Sequence, residues 1–185
     1  MMIMNADTPL AAPISPTAPF GPPDGPAMDR VVAWLSEPAR RLHGMIRQLP
    51  GFAPLRHASL SVYDAQHDML WAFSCNSDGA GPPDVNEIVM TDVPSLVMLA
   101  DSHEPRIVND LAAFGGEGRF HTSGARNSDT RSSMTAPILV DGHLLGFVIF
   151  GAAIPNFFTA PVCDTLVTFT EAFGILIERA RGLSD

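Results

Sequence analysis

Residues 131–154, RSSMTAPILVDGHLLGFVIFGAAI, decide the fold. Arg131 to Val140 has the β-branched and apolar centre of a strand. Asp141-Gly142 follows, and both residues tolerate the positive φ that a two-residue type I′ turn demands. Leu144 to Phe150 is then the return strand, apolar on both faces and therefore central in a sheet. The entry at Arg131, Ser132 and Ser133 is polar, whereas the return is wholly apolar. Such a segment reads either as the wall and rim of a small-ligand pocket or as a plain core hairpin.

Upstream, a second local strand pair is expected. Residues 56–63 alternate, with Ala58, Leu60 and Val62 on one face. Residues 64–68 form the turn, and Met69 to Cys75 alternates again. Residues 76–87 read as a polar loop rich in Gly and Pro. Pro94 to Ser102 fits a short helix, with proline pre-organised for its first turn. Arg106 to Val108 is a short strand that ends at Asn109-Asp110. Residues 111–130, with four glycines, are expected to form a mobile lid carrying a short helix or two.

Helices flank this core. Asp29 is a candidate N-cap for a helix to about Leu49, with an apolar stripe through Val31, Leu35, Leu42 and Ile46. Pro38 should kink or split it. Thr159 is a candidate N-cap for the last helix, which runs to about Arg181. Its apolar residues Val162, Leu166, Phe169, Phe173, Leu176 and Ala180 form a heptad-like seam. The order helix, hairpin, helix, short strand, loop, hairpin, helix predicts an antiparallel α+β domain with its helices largely on one face.

The bulk composition narrows the function. Residues 1–27 hold seven of the 17 prolines and are expected to be a disordered tail; residues 28–183 make one domain. The formal net charge is -9, and all 11 basic residues are arginine. Without a basic run, neither nucleic acid nor an anionic membrane surface is an expected partner. No apolar run approaches the ~20 residues needed to span a bilayer, and no secretory signal is evident. Two cysteines, Cys75 and Cys163, lack metal-type spacing, so a reducing cytoplasm is the expected compartment. The six histidines are scattered, and neither a metal nor haem is expected.

The order of elements resembles the GAF domain, a small-molecule sensor module. The residues that carry the resemblance are the strand pair 57–75, EPRIVNDL at 104–111, RSSMTAPIL at 131–139 and DGHLLGFVIFGAAIPNFFT at 141–159. It covers residues 30–182 or so. The pattern RSSxxxPI…DGxLLGFxxF is most similar to GAF domains that precede output domains such as HD-type phosphohydrolases. The resemblance implies an antiparallel sheet of five or six strands with helices packed on its faces, the N- and C-terminal helices together.

The family's subtypes make separate demands. Cyclic-nucleotide binders carry an Asn-Lys…Phe…Asp-Glu signature; this chain has Asn156-Phe157, Phe158 and Asp164-Thr165, without the Lys or the Glu. Bilin binders attach their pigment through a Cys often followed by His; here Cys75 precedes Asn76 and Cys163 precedes Asp164, so no covalent bilin is expected. Reductases of free methionine sulfoxide use cysteines around the lid. Residues 111–130 contain none, so that chemistry would require Cys75 in a new role.

In such an architecture the ligand lies between sheet and lid. The candidate ligand-binding residues are Trp71, Phe73, Asn109, Asp110, His121, Arg131, Ser133 and Phe147. Arg131 either clamps a ligand carboxylate or phosphate or pairs with Asp110 or Asp129. Ser132 and Ser133 alternate faces, and Ser133 is taken as the inward one. Asn109 and Asp110 either contact ligand or cap the lid helix. His121 is either a ligand contact or an exposed loop residue. Trp71, Phe73 and Phe147, with Met134, either line the pocket or fill it as core.

No catalytic set stands out. The chain therefore reads as a non-catalytic sensor that binds a small molecule and relays it through its terminal helices. Those helices would pair in a homodimer and act on a downstream output domain or protein. A ligand-free dimerisation scaffold is the alternative, and a sulfoxide reductase-like enzyme the third. Either a fragment of a longer receptor or a single-domain protein fits the ending after the last helix.

Overall fold

The computed structural model describes residues 25–76, 83–113 and 129–183. The elements, in chain order, are α1 (Gly25–Gln48), β1 (Leu55–Asp64), β2 (Met69–Ser74), β3 (Val85–Val89), a 3-10 turn (Met90–Asp92), α2 (Pro94–Ser102), β4 (Arg106–Val108), β5 (Ser132–Val140), β6 (His143–Ala152) and α3 (Ala160–Gly182). The strands form one six-stranded sheet in the order β3-β2-β1-β6-β5-β4, and every neighbouring pair is antiparallel. This is the α+β architecture expected from the order of elements.

The hairpin forms as its turn residues require. Val140 pairs with His143, and Asp141 and Gly142 both adopt positive φ, 50° and 78°. Beyond the turn the ladder slips by one residue between Ile138 and Leu139, which pair with Gly146 and Leu144. Gly146 sits at φ 155°, and a Cβ there would lie 1.9 Å from the Ser61 carbonyl oxygen. Only glycine lets β6 approach β1 so closely.

One face of the sheet is closed by α1 and α3. Leu35, Ile46, Leu60, Phe73, Met134, Phe150 and Phe173 are fully or almost fully buried there in a single cluster. Gly174 brings α3 against β5, where a Cβ would meet Val140 Cγ2 at 2.9 Å. The opposite face carries a smaller cluster in which α2 packs through Leu99 onto Leu70, Met90 and Phe147.

Three expectations are corrected. The loop expected over residues 76–87 is cut short at its end by β3, which begins at Val85 and whose apolar residues Val85, Ile88 and Val89 do not alternate cleanly. It forms because the edge of β2 offers unpaired backbone groups, with Trp71 opposite Glu87. Helix α1 begins at Gly25, inside the proline-rich stretch, so Asp29 lies within it rather than capping it. It also runs unbroken through Pro38, because Leu35 and Ala39 are buried on either side and tertiary packing holds the helix together.

Among the described helices, α3 is long and apolar enough to cross a membrane by length and composition. Its inward residues Leu166, Phe173, Ile177 and Ala180 are buried, as in a core helix. Residues 114–128, most of the expected lid, and the proline-rich segment up to residue 24 lie outside the described residues.

Candidate functional site

Strand register sorts the side chains into two faces. Ser61 lies opposite Phe147 and Phe147 opposite Pro137, so these share the α2 face. Further along that face, Ser59 lies opposite Ile149, Ile149 opposite Thr135, and Thr135 opposite Arg106. One step beyond are His57, Gly151, Ser133 and Val108. The α2 cluster extends to Phe147 and includes none of this second half.

This half of the face is polar. Ser59 donates to the Phe73 carbonyl at 3.1 Å, and buried Ser61 donates to the Phe147 carbonyl at 3.2 Å. Thr135 is only 5% exposed, yet its hydroxyl makes no hydrogen bond among the described residues. At the same end Asn76 donates through Nδ2 to His57 Nδ1 at 3.2 Å. Burial pushes the His57 imidazole below its ordinary pKa, partly opposed by that hydrogen bond.

The candidate residues separate accordingly. Trp71 and Phe73 lie opposite Val62 and Leu60 on the α1 and α3 face, packed with Met134 in the main core. Phe147 is on the other face, under α2. A pocket wall built from Trp71, Phe73, Phe147 and Met134 together is therefore ruled out, because the sheet itself separates them. Ser133 does point to the polar face, whereas Ser132 is buried and donates to the Ile154 carbonyl at 2.7 Å. His121 lies outside the described residues.

Arg131 is engaged by Asp110. Its Nε and Nη2 donate to Asp110 Oδ1 at 3.3 and 3.2 Å, and Nη2 also reaches Oδ2 at 3.1 Å. The guanidinium holds the Asp110 carboxyl below its usual value, helped by the Ala112 N–H. Asp110 Oδ1 accepts that N–H at 3.0 Å, an Asx turn directly after β4. The Asn109 carbonyl accepts from the Asn156 N–H at 2.8 Å. Asp110 and Arg131 thus form a clasp between the ends of β4 and β5, while Asn109 is tied through its backbone to the segment after β6.

The residues that sequence reading missed are Arg106, Thr135 and Ser59. Alternation along β1, β4 and β5 hints at them, but only the pairing register places them on one face.

Neither cysteine is near that face. Cys75 is fully buried in the main core, and desolvation pushes its thiol up to about 12. Cys163, in the first turns of α3, is also raised by burial and by Asp164. Both are thiols at neutral pH, not the thiolate that nucleophilic chemistry needs. Among the described residues no group of three His, Cys, Asp or Glu is placed to hold a metal ion.

Comparison with known proteins agrees with this architecture. No curated protein matches the chain. The GAF domain of a two-component sensor histidine kinase from Bacillus halodurans superposes with a TM-score of 0.63 at 13% identity, covering 83% of this chain and 99% of that one. The blue-light absorbing form of the Thermosynechococcus elongatus PixJ GAF domain gives 0.52 at 14% identity, covering 84% and 87%. Free methionine-R-sulfoxide reductase from Neisseria meningitidis, in complex with its substrate, gives 0.53 at 18% identity, covering 85% and 88%. At such identities these establish a shared fold and nothing about the ligand. The GAF domain family model matches residues 27–180, and the chain belongs to the GAF domain family.

Proposed function

We propose that this protein is a non-catalytic sensory domain that takes up a small molecule on the polar half of the α2 face. One observation carries the reading. The face under α1 and α3 is filled by large apolar side chains, whereas the opposite face carries the Thr135, Ser133 and Ser59 hydroxyls on neighbouring strands, and that of Thr135 makes no hydrogen bond among the described residues. A convergent set of polar groups beside an apolar cluster suits a small-ligand site. The lid expected over it includes residues 114–128, which lie outside the described residues.

The terminal helices would carry the signal. Met45 on α1 and Ile175 on α3 are 59% and 65% exposed, and a shallow apolar groove lies between the helices at Pro38, Leu42, Met45 and Leu176. A second copy of the chain packed on this surface would convert a helix shift into a change of register. The same surface supports the scaffold reading, in which the dimer forms without a ligand. The reductase reading has less support, because both thiols are raised and lie away from the polar face.

Native mass spectrometry combined with a thermal-shift screen of metabolites tests the proposal. A sensor gives a raised Tm with particular compounds, and Thr135→Val reduces that shift. A dimer that no compound stabilises favours the scaffold. Met45→Glu combined with Ile175→Glu should yield a folded monomer, read by sedimentation.

A further inference from the structure

The chain carries 20 acidic and 11 basic residues, but its acids are not evenly placed. The α2 face of the sheet displays no carboxylate on any of the six strands: the acidic strand residues Asp64 and Glu87 fall on the other face by register. What this face does carry is one guanidinium. Arg106 lies directly opposite Thr135, in the antiparallel pairing that puts facing Cβ atoms ~4.5–5.5 Å apart.

The two arginines near this end differ in one respect. Arg131 is neutralised by three hydrogen bonds to Asp110. Arg106 is exposed and makes no ion pair among the described residues. Its donors therefore remain available beside the Thr135 hydroxyl, which makes no hydrogen bond among the described residues.

We propose that the ligand bears an oxyanion, a carboxylate or a phosphate, which Arg106 grips beside the hydroxyls of Thr135 and Ser133. This rests on the ligand-binding reading above and adds its chemistry. A planar guanidinium offers two parallel donors to a carboxylate or phosphate, and each adjacent hydroxyl can donate one more. The absence of acids on the face removes the repulsion that would otherwise oppose an anion in so acidic a chain. The guanidinium of Arg131, beside the site, is already paired with Asp110.

Nuclear magnetic resonance of the 15N-labelled full chain tests the assignment, with succinate, inorganic phosphate and the neutral isostere succinamide as probes. The Arg106 Nε–Hε signal is identified as the one lost in Arg106→Gln. Succinate or phosphate should move that signal and the Thr135 and Ser133 amides along saturable curves, leaving the Arg131 signal in place. Arg106→Gln should weaken the anion's apparent affinity about tenfold or more, with the rest of the spectrum unchanged. Anion shifts that never saturate, or that appear at Arg131 instead, overturn the assignment. If succinamide alone binds at Thr135, the sensor reading stands and the oxyanion falls. If no probe moves Thr135, the oxyanion also falls, and the thermal-shift screen judges the sensor reading separately.

Discussion

Arg181, in the last turns of α3, donates from Nη2 to the carbonyl oxygen of Tyr63 near the end of β1. The Tyr63 ring packs in the α2 cluster, on the other side of the sheet. Its hydroxyl donates to Asp68 Oδ1 at 3.1 Å, and Asp68 Oδ2 accepts from the Thr91 hydroxyl at 2.7 Å. Tyr63 therefore touches the end of α3 through its backbone and the approach to α2 through its side chain. Burial lowers the Arg181 pKa, while Asp64 and Glu178 oppose that fall.

Removing this tether should loosen the end of α3. Arg181→Ala is expected to cost about 1–3 kcal/mol, since a part-buried carbonyl loses a charged donor. Urea unfolding measures the loss. Hydrogen exchange should quicken at residues 178–183 and leave β5 and β6 protected; uniform quickening would mean the contact is not a local tether.

The single tyrosine makes its own titration readable. Burial, then the hydrogen bond to Asp68 and the charges of Asp68 and Asp64, push the Tyr63 phenol up to about 12. A raised phenol pKa means the fold favours the neutral form. That stabilisation is complete below the ordinary value of ~10 and lost as pH rises through the folded value. Tyrosinate absorbance should rise near pH 12 in the native protein, and earlier in Asp68→Asn.

Two glycines should respond very differently to alanine. At Gly146 the new Cβ would meet the backbone carbonyl of Ser61 at 1.9 Å, and backbone cannot yield. Gly146→Ala should cost about 3 kcal/mol or more, or prevent folding. At Gly174 the nearest atom is a Val140 methyl at 2.9 Å, which can rotate. Gly174→Ala should cost ~1–3 kcal/mol. Thermal unfolding of both variants checks the contrast.

The Asp110 carboxyl offers a test of the clasp. Its pKa is lowered, first by Arg131. The stability it contributes is present above the ordinary Asp pKa and is lost as pH falls through the lower folded value. Arg131→Ala should raise the Asp110 pKa towards its ordinary range in a carboxyl NMR titration, and salt should shrink the difference. Anion binding at Arg106 should survive this substitution.

Cys75 should stay inert until the protein unfolds, because its thiol is buried and its pKa is about 12. Alkylation at neutral pH should reach Cys163 first and Cys75 only at the rate of global opening. With free methionine sulfoxide and a thiol reductant, turnover should stay at background. Turnover that disappears in Cys75→Ala would overturn the non-catalytic reading.

Much of the fold was legible because its signals are local. Asp141-Gly142 dictates its turn through the φ values those two residues accept. Alternation in β1 and β2, and the spacing in α1 and α3, report which side of each element is buried. Pro38 does not split α1, because packing on both sides of it outweighs its local cost. Strand β3 went unread because five residues at a sheet edge leave hardly any pattern.

The candidate site was far less legible. Periodicity divides one strand into two faces, but it does not say which face of a distant strand meets which. That is why Trp71 and Phe73 seemed able to join Phe147, and why Ser133 was found while Arg106 opposite Thr135 was not. Whether Arg131 is available to a ligand depends on Asp110, 21 residues away along the chain. The sequence alone determined the elements other than β3, and their order, through contacts between near neighbours. Tertiary structure decided strand register, face and ion-pair partner, because those depend on burial and proximity between segments the chain keeps far apart.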